Sequence, residues 1–304
     1  MCGSRWSIIS CTLCLTANMT PNADSKDASD EDLEAGVRTW LHTKGFPLEM
    51  RVARTLAAHG GLVDQGIQYA DVTTGTIRES DVRATFLRDD DAGAHLLSLV
   101  IECKSTTSPW VLFVGGERDY DPWSAPGVED DTCDDCARLV PLGADAWLRE
   151  TQLGYAITEK RTDKGQARDK ARDAVMAVTS AAISALRWEL DHQASMRTAA
   201  GNGSAGSSVN LAVHRALVLV PTVVTTSPLF ACALDEDGNV QLQRVRRGVV
   251  SVMHEQSPEP LSVLVLVAED LGSFAVAARA VTQSREAVAR GGVTGSVLID
   301  WPVE

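Results

Sequence analysis

The sequence predicts a mixed α/β fold organised around a largely buried central β-sheet, and three observations carry that prediction. A short apolar run, Leu96, Leu97, Leu99, Val100 and Ile101, reads as a buried central strand. Strand-like and helix-like segments follow one another along the chain, with two clear amphipathic helices at residues 48–59 and 165–192. The 304 residues, 44% hydrophobic and 23% charged, are enough to bury a sizeable core.

Residues 1–18 form a short apolar, cysteine-containing stretch that makes a poor signal peptide, so Met19 is the expected start. Residues 1–32 are expected to be a disordered N-terminal extension, because 20–33 are polar and acidic. Order begins near residues 33–40, and Gly45-Phe46-Pro47 then breaks the chain. In the helix over 48–59, two stripes recur at helical spacing: Leu48, Val52, Leu56 and Met50, Ala53, Ala57. Gly60-Gly61 ends it, with His59 as a cap. Residues 62–69 and 77–87 are strands, the second alternating Val82, Ala84, Phe86 with Asp81, Arg83, Thr85. The turn at 89–93 then makes an antiparallel pair with the central strand.

Past Val114 the chain is irregular and acidic to about Pro141, and its Cys133-Asp-Asp-Cys136 reads as a surface loop rather than a zinc site. The long helix over 165–192 presents Ala171, Val175, Val178, Ala182, Ala185 and Leu186 as its buried stripe. Residues 215–224 form a further buried strand, which Pro221 places near an edge or ends. A hairpin at 229–243 turns on residues 235–239, a strand covers 261–267, a helix 271–290, and a last strand lies near 297–299. The expected organisation is a core at 33–225 with a C-terminal α/β extension at 226–304 packed on it.

A formal net charge of −13 argues against binding nucleic acid by bulk charge, though a local basic groove would suffice for an enzyme. Seven scattered cysteines suggest a reducing compartment. No apolar run approaches the roughly 20 residues that span a bilayer, so a cytoplasmic, membrane-free protein is expected.

The chemistry concentrates where the central strand ends. Period-two geometry puts Glu102 and Lys104 on one strand face and Cys103 on the other. Buried charges must be paired or must hold a metal, so the sequence offers a strand-end ion pair or a metal-dependent hydrolytic site. Asp81 on the neighbouring strand supplies a second carboxylate, and two converging carboxylates suit Mg²⁺. Glu49 lies in the first turn of the helix at 48–59, where a carboxylate also suits the helix dipole.

Helix, strand, strand with Asp81, strand with Glu102-Cys103-Lys104, long helix and strand together resemble the PD-(D/E)xK nuclease superfamily, the restriction-endonuclease-like fold. The resemblance covers about residues 45–225. It includes Lys104-Ser105 through Ser108-Pro109-Trp110-Val111, which is similar to the same region of bacterial members. One departure stands out, since Ser80 and not proline precedes Asp81.

The resemblance implies a mixed central sheet flanked by helices and a nuclease acting on DNA, with RNA an open alternative, in defence or repair. Asp81 and Glu102 would hold Mg²⁺ or Mn²⁺. Lys104 would orient or deprotonate the attacking water or stabilise the phosphorane, and Glu49 would assist as an additional or water-mediated ligand. Lys164, Gln166, Arg168, Lys170 and Arg172 are candidate nucleic-acid contacts on the long helix, weighed against a solvated face paired with aspartates. A homodimer would suit double-strand cutting, and the acidic charge leaves room for a partner protein. The alternative is a nucleic-acid- or protein-binding module of the same fold without turnover.

Overall fold

The structure is a computed structural model and describes residues 29–90, 93–115, 127–128, 151–160, 168–201, 215–257 and 260–283. The chain divides into two units, residues 1–40 and 41–304. The described part of the first is most of helix α1 (Asp30–Lys44). Its first turn is acidic and Ser29 Oγ accepts the Asp32 amide at 3.2 Å, an N-terminal cap with the charge sign the helix dipole favours. No residue of α1 is buried.

In the second unit, Gly45 adopts φ +87°, a left-handed conformation that L side chains rarely take, and so ends one helix and opens the next. Helix α2 (Phe46–Ala58) follows with Pro47 in its first turn, where a missing N–H costs nothing. It buries Leu48, Val52, Ala53 and Leu56. Of the second expected stripe only Ala53 is buried. Met50 and Ala57 face solvent, because a helix with one core contact can bury only one side. His59 caps the end, as its position suggests, with Nδ1 2.8 Å from the Thr55 carbonyl oxygen.

Eleven described strands form one sheet. They are β1 (Leu62–Ala70), β2 (Ile77–Asp90), β3 (Gly93–Lys104), β4 (Trp110–Val114), β5 (Gly127–Val128), β6 (Gln152–Glu159), β7 (Arg215–Thr225), β8 (Leu229–Leu234), β9 (Val240–Val245), β10 (Arg247–Val252) and β11 (Leu261–Val267). The order is β1-β2-β3-β7-β11-β10-β6-β4-β8-β9, with β5 beside β7. β1, β2 and β3 are antiparallel, as expected for the pair around 89–93, while β3–β7 and β7–β11 are parallel.

Two cores sandwich the sheet. On one side α2 and helix α4 (Leu271–Gln283) pack on Val82, Ala84, Phe86, Leu99, Ile101 and Cys103. On the other, helix α3 (Lys170–Gly201) lays Ala171, Val175, Val178, Ala182 and Leu186 on Val100, Trp110, Leu219 and Val265. Trp110 is fully buried and belongs to this core.

Two expectations about strand placement change. β7 is central, between β3 and β11, despite Pro221. The proline falls where the ladder on that flank is interrupted: β5 pairs at Leu217 and Val218, and β11 begins at Thr222. The segment expected as a packed C-terminal extension contributes β8 to β11 to the common sheet, with β10 and β11 lying between β7 and β6. Fully buried runs such as β11 require cover on both faces, which a central position supplies.

No helix among the described residues is long and apolar enough to cross a membrane. Residues 1–28, Cys133, Cys136 and the expected strand at 297–299 lie outside the described residues, as does the helix beyond Gln283.

Candidate active site

The antiparallel ladder between β2 and β3 is recorded as far as Val82 opposite Ile101. Beyond it the Asp81 carboxylate takes over. Its Oδ2 accepts the backbone N–H of Cys103 at 2.6 Å, joining the two strands where their main chains part. Ser80, just before it, donates its hydroxyl to the Ile101 carbonyl at 3.4 Å. Alternation from Val82 and Val100 places Asp81, Glu102 and Lys104 on the α3 side of the sheet. Cys103 points to the α2 side and joins that core.

Glu102 is 9% exposed and forms an ion pair with the Lys104 ammonium, whose side chain is about one-third exposed. On the far side of β3, the Lys104 carbonyl accepts the Thr225 hydroxyl at 3.1 Å and the Thr226 amide at 3.2 Å. The strand end is therefore tied to β2 on one flank and to the end of β7 on the other.

Negative charge exceeds positive here. Burial pushes the Asp81 carboxyl up, against the Cys103 amide and Lys104, and Glu79 pushes it further. Glu102 is also raised, by burial and by the charge of Asp81, which outweigh Lys104. Burial disfavours the Lys104 ammonium, but the Glu102 carboxylate more than compensates and holds it above the usual lysine value. Glu49 comes from α2, on the face where Cys103 points. Burial, then Asp81, Glu79 and Glu102, raise its carboxyl from 4.5 to about 7. A Cβ on Gly45 would lie 3.9 Å from Glu49 Oε1 and 4.0 Å from Ser105 Cβ, so the start of α2 abuts the residue after Lys104.

Among the described residues, no three His, Cys, Asp or Glu side chains are grouped so that they could hold a metal ion. Asp81 and Glu102 remain a pair of oxygen donors in a site with surplus negative charge. That donor set fits a hard divalent cation that keeps most of its ligands as water or substrate oxygen. It does not fit an all-protein cage.

Lys170 and Arg172 are exposed in the first turn of α3 and Arg168 just before it, outside the helix expected to carry it, and none forms an ion pair among the described residues. Asp169, one of the aspartates that could have paired with them, caps the helix. Its Oδ1 accepts the amides of Ala171 and Arg172, each at 3.1 Å. Lys164 and Gln166 lie outside the described residues.

Two acids escaped the sequence reading. Glu79 adds to the charge cluster, and period two from Asp81 could have found it. Glu159, 7% exposed at the end of β6, accepts the Thr106 hydroxyl at 3.1 Å and the Lys170 amide at 3.3 Å. It thereby ties the segment after Lys104 to the basic start of α3. Its signal was present: Ile157-Thr158-Glu159-Lys160 also brings an acid and a lysine to the end of an apolar strand, though in a different spacing from Ile101-Glu102-Cys103-Lys104.

Compared with family models, with curated proteins and with solved structures, the chain matches none.

Proposed function

We propose that this protein is a metal-dependent nuclease of restriction-endonuclease-like fold that hydrolyses phosphodiester bonds in DNA. The observation that carries the reading is the meeting of Asp81, from the first half of β2 where its pairing with β3 stops, with Glu102 and Lys104, from the end of β3. In this reading Asp81 and Glu102 hold Mg²⁺ or Mn²⁺. The bound ion supplies charge neutralisation at the phosphate and a more acidic attacking water.

The side chains define the remaining roles. Glu102 keeps Lys104 protonated, which favours it as a positive charge beside the pentavalent phosphorus over a base that removes the water proton. The Cys103 amide fixes the Asp81 carboxylate, so little reorganisation is needed when substrate arrives. Glu49, whose carboxyl feels the charges of Asp81, Glu79 and Glu102, would assist as an additional or water-mediated ligand. Arg168, Lys170 and Arg172 would track the phosphate backbone. A cytoplasmic location, with a homodimer for double-strand cutting, completes the proposal.

A second reading, a binding module of this fold without turnover, is favoured by one observation. Asp81 accepts the Cys103 amide and Glu102 pairs with Lys104, so each carboxylate already has a protein partner without any ion. Plasmid and single-stranded DNA, incubated with Mg²⁺ or Mn²⁺, separate the two. Cutting that requires metal and disappears in Asp81→Ala and Lys104→Ala supports the enzyme. No cutting, or cutting that survives both substitutions, removes this site from the chemistry.

A further inference from the structure

A cavity of about 460 Å³ lies between β1–β3 and α3, directly beside the acidic site. Arg83 and Val100 line it, and one step further along the same face of their strands stand Asp81 and Glu102, a spacing of about 7 Å. Ser80, which lines it too, is the residue whose hydroxyl bonds the Ile101 carbonyl. The space exists because α3 turns small residues such as Ala181 toward it.

The lining defines the ligand. Tyr69 forms one wall, its ring fixed by the hydroxyl's bond to the Ala177 carbonyl at 3.2 Å. Trp188 stands at another and is 58% exposed. Its indole lies flat against His192, with ring centres 5.2 Å apart and planes 2° from parallel. Arg83 is the single charged residue of the lining. Its Nε donates to Ser98 Oγ at 3.0 Å, and its terminal nitrogens have no partner among the described residues. One cation beside a surplus of carboxylates is a poor phosphate site. Two aromatic rings with a planar donor fork suit a flat, uncharged, hydrogen-bonding body.

Resting on the nuclease reading above, we propose that this cavity receives one unstacked nucleobase of the substrate strand, its phosphate directed to Asp81 and Glu102. The volume falls within the range of ligand pockets. Enzymes that read a base outside the duplex hold it in this way, between aromatic side chains and edge-directed donors. The substrate is then single-stranded DNA, or duplex with an unpaired base. A continuous helix would have to give up a stacked pair to fill the cavity.

The test compares cleavage-resistant, phosphorothioate-linked, fluorescein-labelled DNA as a single strand and as a perfect duplex. Binding is followed by anisotropy in Mg²⁺ for the wild-type chain, Trp188→Ala and Arg83→Gln, with plasmid cutting measured in parallel. The wild type should prefer the single strand, and both variants should weaken single-strand binding about tenfold or more, with little change for the duplex. Trp188 is largely exposed, so its truncation leaves the core intact. If the wild type cuts DNA but both variants bind as it does, the cavity inference is overturned and the nuclease reading stands. Equal weakening for strand and duplex also overturns it, because the contacts are then to backbone. A wild type that neither binds nor cuts DNA overturns both.

Discussion

The Cys103 backbone N–H donates to Asp81 Oδ2 at 2.6 Å, so the carboxylate next to the last β2–β3 pair is fastened to the strand that carries Glu102 and Lys104. One bond thus serves both folding and the geometry of the acidic site. The two roles separate by substitution. Asp81→Asn keeps an acceptor oxygen for the amide and loses the charge, whereas Asp81→Ala loses both. In urea unfolding, the alanine variant should be less stable than the asparagine variant by about 1 kcal/mol. Neither should cut DNA. Equal stabilities would mean the bond contributes nothing net, and cutting by Asp81→Asn at the wild-type rate would exclude the charge from catalysis.

Glu49 should give the protein a stability that falls as pH rises. Its carboxyl is raised from 4.5 to about 7, so the fold prefers the protonated form. The resulting stabilisation is complete below about 4.5 and is lost as pH climbs through about 7. Glu49→Gln removes this dependence. It should match the wild type at pH 5 and exceed it at pH 8 by about 1 kcal/mol, a figure reduced for solvent screening of a partly exposed group. Denaturant midpoints at the two pH values decide it, and a constant difference between the proteins would contradict the assignment.

Asp71 should do the reverse. It is 6% exposed, and it accepts the amides of Thr73 and Thr74 at 3.1 and 2.9 Å, the Ser180 hydroxyl of α3 at 3.2 Å and the Arg78 guanidinium at 3.0 Å. Burial alone would raise its carboxyl, but the Thr74 bonds and Arg78 prevail and hold it below 3.8. The stability it contributes is therefore present above 3.8 and lost as pH falls through the lower, folded-state value. Asp71→Asn should cost about 2 kcal/mol at pH 7 and progressively less in acid. A cost that does not shrink on acidification would show that the charge is not what matters.

The start of α3 makes a prediction about salt. Arg168 and Arg172 are exposed and carry no ion pair among the described residues, so Arg168→Gln with Arg172→Gln should weaken DNA binding without destabilising the fold. If both contact phosphate, the slope of log affinity against log salt should fall by roughly one for each arginine. An unchanged slope would return this helix face to plain solvation.

The site was legible in part. Asp81, Glu102 and Lys104 sit on neighbouring antiparallel strands, and period two puts Glu102 and Lys104 on one face of theirs. Glu49 was readable as a residue near the site but not by direction, since no local rule says that α2 packs on the Cys103 side. Glu159 was missed because its bridge joins Thr106 to Lys170, and only folding brings those segments together. The cavity was invisible for the same reason: Tyr69, Arg83 and Trp188 are far apart in sequence.

What the chain determines by itself is therefore local. Apolar alternation makes the strands, helical spacing makes α2 and α3, Gly45 and Gly60 end their helices, and the acid-x-lysine strand end marks the charged site. Tertiary structure decided the strand order, with β10 and β11 between β7 and β6, and the side from which each helix covers the sheet. Backbone propensity and periodicity act over a few residues, so they are written in neighbouring letters. Strand order and helix placement minimise exposed apolar surface across the whole chain, and that minimum appears only once every segment competes for the same core.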